Sequence, residues 1–184
     1  MKIFISGGCK NGKSYYAQHL AKAQQKDIMY YIATMKPSDS EDDERILRHR
    51  RERGGWGFVT IEQPVDIEKI LDKCDYGGSF LLDSLTAVLA NEMFPPPDYT
   101  VNEAAAEKII SGLYRIFESI GNIVIVSDYI YSDAAVYDVF TEKYRQSLAE
   151  IDRMAAKYCD VVLEVAYTNV IVHKGGDKIH DKIL

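Results

Sequence analysis

The octapeptide GGCKNGKS, residues 7–14, constrains this chain more than any other stretch. It follows the apolar run KIFIS and precedes a helical pattern from about Ser14 to Gln25. Glycine, four residues, then Gly-Lys-Ser, set between a strand and a helix, is the pattern of a loop that cradles phosphates. Gly7 and Gly12 let backbone N–H groups turn inward, because no Cβ blocks the turn. Lys13 can reach the β- and γ-phosphates, and the Ser14 hydroxyl can ligate Mg²⁺. The helix that starts there adds its positive dipole end. Gly8, Cys9, Lys10 and Asn11 complete the loop. Cys9 reads as a small space-filler, since nothing in the sequence supplies a base to activate it. A cradle alone serves a kinase, a GTPase, a motor or a nucleotidyl transferase equally well. The loop fixes the ligand class and leaves the reaction open.

Strand and helix patterns alternate along the rest of the chain. IMYYIAT reads as a second strand, followed by a helix over SDSEDDERILRHRRER with Ser40 as its N-cap and acids in its first turn. FVTIE is a brief strand, VDIEKILDKC a short amphipathic helix, and SFLLDSLT a buried strand ending in an acid. SLTAVLANEMF is helical until PPPD stops it. Helices are predicted over residues 102–119 and 139–158, with the strand NIVIVSD between them. VVLEVAY and NVIVHK close the chain as a hairpin. This alternation predicts an α/β fold: one domain over residues 1–184, with a mostly parallel central sheet and helices on both faces. Ligands of such sheets bind beyond the carboxyl ends of the strands. The glycine loop, the stretch after Thr34, Glu62 and Asp83 all lie at such ends and can share one rim.

The net charge of -6 argues against a general nucleic-acid binder, and no run approaches the ~20 apolar residues of a membrane span. Cys9, Cys74 and Cys159 are too scattered for a metal site or a disulfide framework. A cytoplasmic protein acting on small molecules is therefore expected, without nucleic-acid or membrane partners. His19 is expected on a helix surface, and His173 and His180 in or near a polar C-terminal tail.

Two further positions carry chemistry. Asp83 ends an apolar strand, where an acid in phosphate-loop enzymes commonly holds Mg²⁺. It could instead cap the next helix, as could Ser84. His49 stands among Arg45, Arg48, Arg50, Arg51 and Arg53. Those guanidinium charges disfavour imidazolium, and a neutral imidazole is a competent nucleophile toward phosphorus. From this stretch alone the pattern reads first as a solvated basic helix face, balanced by the acids at 41–44.

Taken in order, the loop, YIAT, ERILRHR, TIEQP and LLDSLT resemble the bifunctional adenosylcobinamide kinase / adenosylcobinamide-phosphate guanylyltransferase family of cobalamin biosynthesis. The likeness is strongest over residues 1–94. The resemblance implies a RecA-like P-loop NTPase fold, assembled as a homo-oligomer, usually a trimer. It implies phosphorylation of adenosylcobinamide by ATP or GTP, then transfer of GMP from GTP through a histidine. His49 matches that histidine. Gly7 to Ser14 match the nucleotide loop, and Lys13 serves the transfer chemistry. Ile32, Ala33 and Thr34 match a nucleotide-contacting strand end. Arg50, Arg51, Glu52 and Arg53 follow the histidine where the family contacts guanine nucleotide. Glu62 and Asp83 match two further nucleotide or metal positions, Asp83 sharing Mg²⁺ with Ser14. Where members of the family carry Asn-Glu-Val-Gly after the strand NIVIVS, this chain reads DYIYSDAAVYD. Two other readings stay open: a P-loop small-molecule kinase without guanylyl transfer, and a GTP-binding regulatory protein without turnover.

Overall fold

The computed structural model describes residues 1–25, 27–36, 54–131 and 134–179. The helix expected over SDSEDDERILRHRRER lies outside the described residues, and with it His49, Arg50, Arg51, Glu52 and Arg53. His180 lies outside them as well.

Seven strands form one sheet in the order β3-β2-β4-β5-β1-β6-β7. They are β1 (Lys2–Gly7), β2 (Met29–Ala33), β3 (Phe58–Glu62), β4 (Ser79–Asp83), β5 (Asn122–Asp128), β6 (Val161–Ala166) and β7 (Asn169–Lys174). All neighbours run parallel except β6 and β7, which form the expected antiparallel hairpin. Tyr167 and Thr168 turn that hairpin with positive φ at both positions, as a tight two-residue hairpin turn requires. β4 and β5 read as continuous apolar runs because helices cover both faces of the sheet.

Strand side chains alternate between the faces. Ile3, Ile5, Leu81, Val124 and Val126 pack with Ala17 and Leu20 of α1 (Lys13–Ala23). Phe4, Phe80, Leu82, Ile123 and Ile125 point the other way, into a larger core. That core is closed by α2 (Leu85–Met93), α3 (Ala105–Ser119) and α4 (Val139–Tyr158). In α3 the buried set Ile109, Leu113, Ile116 follows the helical period, so one stripe faces the sheet. Asp138 caps α4, accepting from Phe140 N at 2.9 Å and Thr141 N at 3.1 Å.

The helix expected over VDIEKILDKC is a 3-10 helix, Ile67–Asp72. The segment is too short to nucleate an α-helix alone. Its two buried residues, Ile67 and Ile70, lie three apart, which suits the three-residue turn.

One acid inside this core is unusual. Asp152 of α4 is 3% exposed and accepts from the Tyr131 hydroxyl at 2.9 Å. Burial pushes its carboxyl up to about 7 from an ordinary 3.8; a hydrogen bond with Ser127 and the Tyr131 hydroxyl oppose the shift. The folded state therefore holds a proton that the unfolded chain releases, and stability is lost as pH rises from about 4 through 7. Urea unfolding across pH 5–8 is expected to show this decline in the wild type, with a slope of up to ~1.4 kcal/mol per pH step of one. Asp152→Asn is expected to flatten that profile.

Candidate nucleotide site

The phosphate loop is built where β1 runs between β5 and β6. Gly7 pairs with Asp128 on one side and Val165 on the other. A Cβ on Gly7 would collide with the Val165 carbonyl and the Asn11 side chain, so glycine is required by close approach. The Asn11 amide donates to the same Val165 carbonyl and ties the loop to β6. Gly12, at φ +93°, turns the chain into α1 and stands at the N-cap without a side-chain cap. Lys13 N, the first of α1, reaches Asn11 Oδ1 at 3.4 Å, and Gly12 itself brings no capping side chain to the N–H groups that follow, as suits an anion site at a helix N-terminus. By contrast, Ser84 caps α2, its Oγ accepting from Ala87 N.

Lys13 is buried at the base of the loop. Its Nζ donates to the Gly8 carbonyl at 2.7 Å and to Asp128 Oδ1 at 2.5 Å. Ser14 Oγ lies 3.5 Å from Asp83 Oδ2, which also accepts from the Tyr31 hydroxyl at 3.0 Å. A hydroxyl and a carboxylate converging beside a phosphate loop form a donor set suited to Mg²⁺. Ser84, not Asp83, is the cap of α2, and the Asp83 side chain faces the loop. The peptide between Asp83 and Ser84 is cis.

Other expected residues are placed differently. Cys9 is exposed, so it fills no space, because the loop carries it outward past Gly8. Ile32 is wholly buried in the core. Thr34 is also buried: its hydroxyl accepts from Ser84 N at 2.7 Å and lies 2.8 Å from the Asp83 carbonyl, while its own carbonyl accepts from Asn91. The backbone of this stretch is bonded on both sides, Thr34 N to the Asp83 carbonyl and the Ala33 carbonyl to Gln63 N, so it shapes the β2–β4 rim from within. Glu62 is exposed at the end of β3, paired with Ala33 two strands from Asp83, ~10 Å across the sheet. His19 does lie on the surface of α1, but its ring packs between Tyr15 and Trp56. His173 is near the end of β7, next to the C-terminal segment, and lies 2.8 Å from Glu164 across the hairpin. Asp128 and Tyr31 are the contacts that sequence reasoning did not assign to the site. Their partners are 115 and 52 residues away, and no local motif marks them.

Beyond β5, Arg145 Nε donates to the Ile130 carbonyl and fastens the following loop to α4. A cleft of about 980 Å³ opens there, lined by Tyr131, Arg145, Arg153 and the glutamates Glu103, Glu107 and Glu142 among others.

A profile of cobinamide kinase / cobinamide phosphate guanyltransferase matches residues 3–169, nearly the whole chain. The chain belongs to this family. Its members are transferases, kinases and guanyltransferases by description, which sets the loop described above among nucleotide-using enzymes. No curated protein matches the chain. Among solved structures, the flagellar accessory protein FlaH from Methanocaldococcus jannaschii is similar at a TM-score of 0.51 and 13% identity, over 94% of this chain and 77% of that one. The RadB recombinase aligns at a TM-score of 0.45 and 15% identity, over 89% of this chain and 73% of that one. This member of the cobinamide kinase family thus has the RecA-like P-loop NTPase fold. No helix among the described residues is long and apolar enough to cross a membrane.

Gly7→Ala tests the cradle. The added methyl must push aside the Val165 carbonyl or Asn11. Isothermal titration with GTP or ATP is expected to show at least a tenfold loss of affinity, with the circular dichroism spectrum of the wild type retained.

Proposed function

We propose that this chain phosphorylates the aminopropanol hydroxyl of adenosylcobinamide from ATP or GTP, and then transfers GMP from GTP to the new phosphate through His49. The observation that supports this reading best is the convergence of Lys13, Ser14 and Asp83 at one loop, in a chain of the cobinamide kinase family. Gly7 to Ser14 would wrap the phosphates with backbone N–H groups, and Lys13 would turn its ammonium to the β- and γ-oxygens. Ser14 and Asp83 would hold Mg²⁺, which when bound neutralises charge on the phosphates. Glu62, exposed on the edge strand β3, and its neighbour Ala33 on β2 lie outward along the sheet from the loop and would meet the nucleotide beyond its phosphates.

In the guanylyl half, a nitrogen of His49 would attack the α-phosphorus of GTP. The N–P bond forms, the α–β bridging P–O bond breaks and pyrophosphate leaves. A phosphate oxygen of the cobinamide acceptor then attacks, a P–O bond forms and the P–N bond breaks. The phosphoramidate keeps the energy of the original anhydride, so one histidine divides the transfer into two in-line steps. Arg50, Arg51 and Arg53 would grip the transferring charge.

Incubation with GTP labelled at the α-phosphate is expected to yield an acid-labile, base-stable protein adduct. His49→Ala is expected to abolish it while transfer of γ-label to adenosylcobinamide continues. Label that survives His49→Ala would remove the covalent mechanism. Loss of Mg²⁺ to a chelator, or Asp83→Asn, is expected to slow both transfers by at least a hundredfold in the same assays.

A further inference from the structure

Two carboxylates stand beside the phosphate loop itself, Asp83 and Asp128, and of these only Asp83 has a place in the scheme above. Asp128 ends β5 beside Gly7, and its Oδ1 lies 2.5 Å from Lys13 Nζ. The lysine is 6% exposed and the aspartate 20%, so the pair is largely shielded yet open on the aspartate side. The backbone of Asp128 is held from behind: its N–H donates to Thr86 Oγ1 at 2.8 Å, and the Thr86 carbonyl accepts from the Tyr144 hydroxyl at 2.8 Å. Elements α2 and α4 therefore fix where this carboxylate sits, while its side chain faces the loop. Asp83 is turned to Ser14 and Tyr31, on the metal side.

A nucleotide changes the partners of Lys13. The ammonium has three protons, and phosphate oxygens arriving in the loop compete for them with Asp128. Were Lys13 to turn to a γ-phosphate held in the loop, its ammonium would stand between that phosphate and the Asp128 carboxylate it now contacts. An acceptor hydroxyl approaching the γ-phosphorus on this side would come within hydrogen-bond reach of Asp128, which is the geometric requirement for a base.

We propose that Asp128 is the general base of γ-phosphoryl transfer; the proposal rests on the kinase half of the function given above. The acceptor O–H gives its proton to an Asp128 carboxylate oxygen as its oxygen bonds to the γ-phosphorus. The bond between that phosphorus and the β,γ-bridging oxygen breaks, and the nucleoside diphosphate leaves with the electron pair. The same exchange of partners makes Asp128 a competitor of the phosphates for Lys13 in the nucleotide-free protein.

Asp128→Asn keeps the shape and removes both the base and the competing charge. Fluorescent GTP titration is expected to show affinity equal to or several-fold tighter than wild type. The turnover number for γ-label transfer to adenosylcobinamide is expected to fall at least a hundredfold, within the range typical of a lost general base. Asp128→Glu, which keeps a carboxylate, is expected to retain more activity than Asp128→Asn. Turnover within threefold of wild type for Asp128→Asn would overturn the proposal, as would a fall in turnover matched by lost GTP binding. Slow hydrolysis of GTP puts water in place of the acceptor, so its rate in wild type and Asp128→Asn judges Asp128 separately from the identity of the acceptor. A hundredfold drop there supports the base even where adenosylcobinamide takes no label, and an unchanged rate refutes it.

Discussion

The pairing of β1 between β5 and β6 is the constraint on which the rest of the site depends. Parallel register carries Gly7 level with Asp128 on one side and Val165 on the other. The Val165 carbonyl then holds Asn11, which shapes the loop, while the Asp128 carboxylate receives Lys13. A one-residue slip of β1 would reverse every side chain of the strand, moving Ile3 and Ile5 out of the core on the α1 face. The apolar burial of β1 therefore sets the position of a loop that is itself polar and exposed. Packing in the core thus fixes the geometry of the site.

Polar chemistry is collected at one edge of the sheet for the same reason. The strands are apolar along their length and change character where they leave the helical cover. Asp83, Asp128, Glu62 and Thr34 all stand at that boundary, at or just past strand ends. Thr34 and Ser84 are knotted together by hydrogen bonds, and this knot directs the Asp83 side chain toward Ser14. Glu92 and Asp152 are acids buried away from that edge, and burial raises the proton affinity of Asp152.

Much of the fold is legible in the sequence. FVTIE and NIVIVSD are strands with the bounds expected, and α4 spans Val139–Tyr158 as predicted, because strand alternation and helical period are strong over those lengths. The segment at Ile67 reads as a short amphipathic helix, a pattern that fits either helix type, and its length and its packing on α3 go with the 3-10 form. Cys9 reads as a space-filler, but whether a loop residue points inward depends on backbone turns that local sequence does not specify. Asp128 is visible only as a departure from a family pattern, since its partner lies 115 residues away.

By itself the sequence determined the ligand class, the alternation of elements and the family, because each rests on local spacing: GGCKNGKS between strand and helix, apolar runs, ordered motifs. Tertiary structure decided which acid faces which loop residue. Asp83 and Ser84 were equal candidates for the cap of α2 until folding gave the cap to Ser84 and turned Asp83 to Ser14. Lys13 had no counter-charge in its own neighbourhood until parallel pairing brought β5 beside β1. A side chain's partner across a sheet is set by strand order and register, and those follow from the packing of the whole core rather than from any one segment.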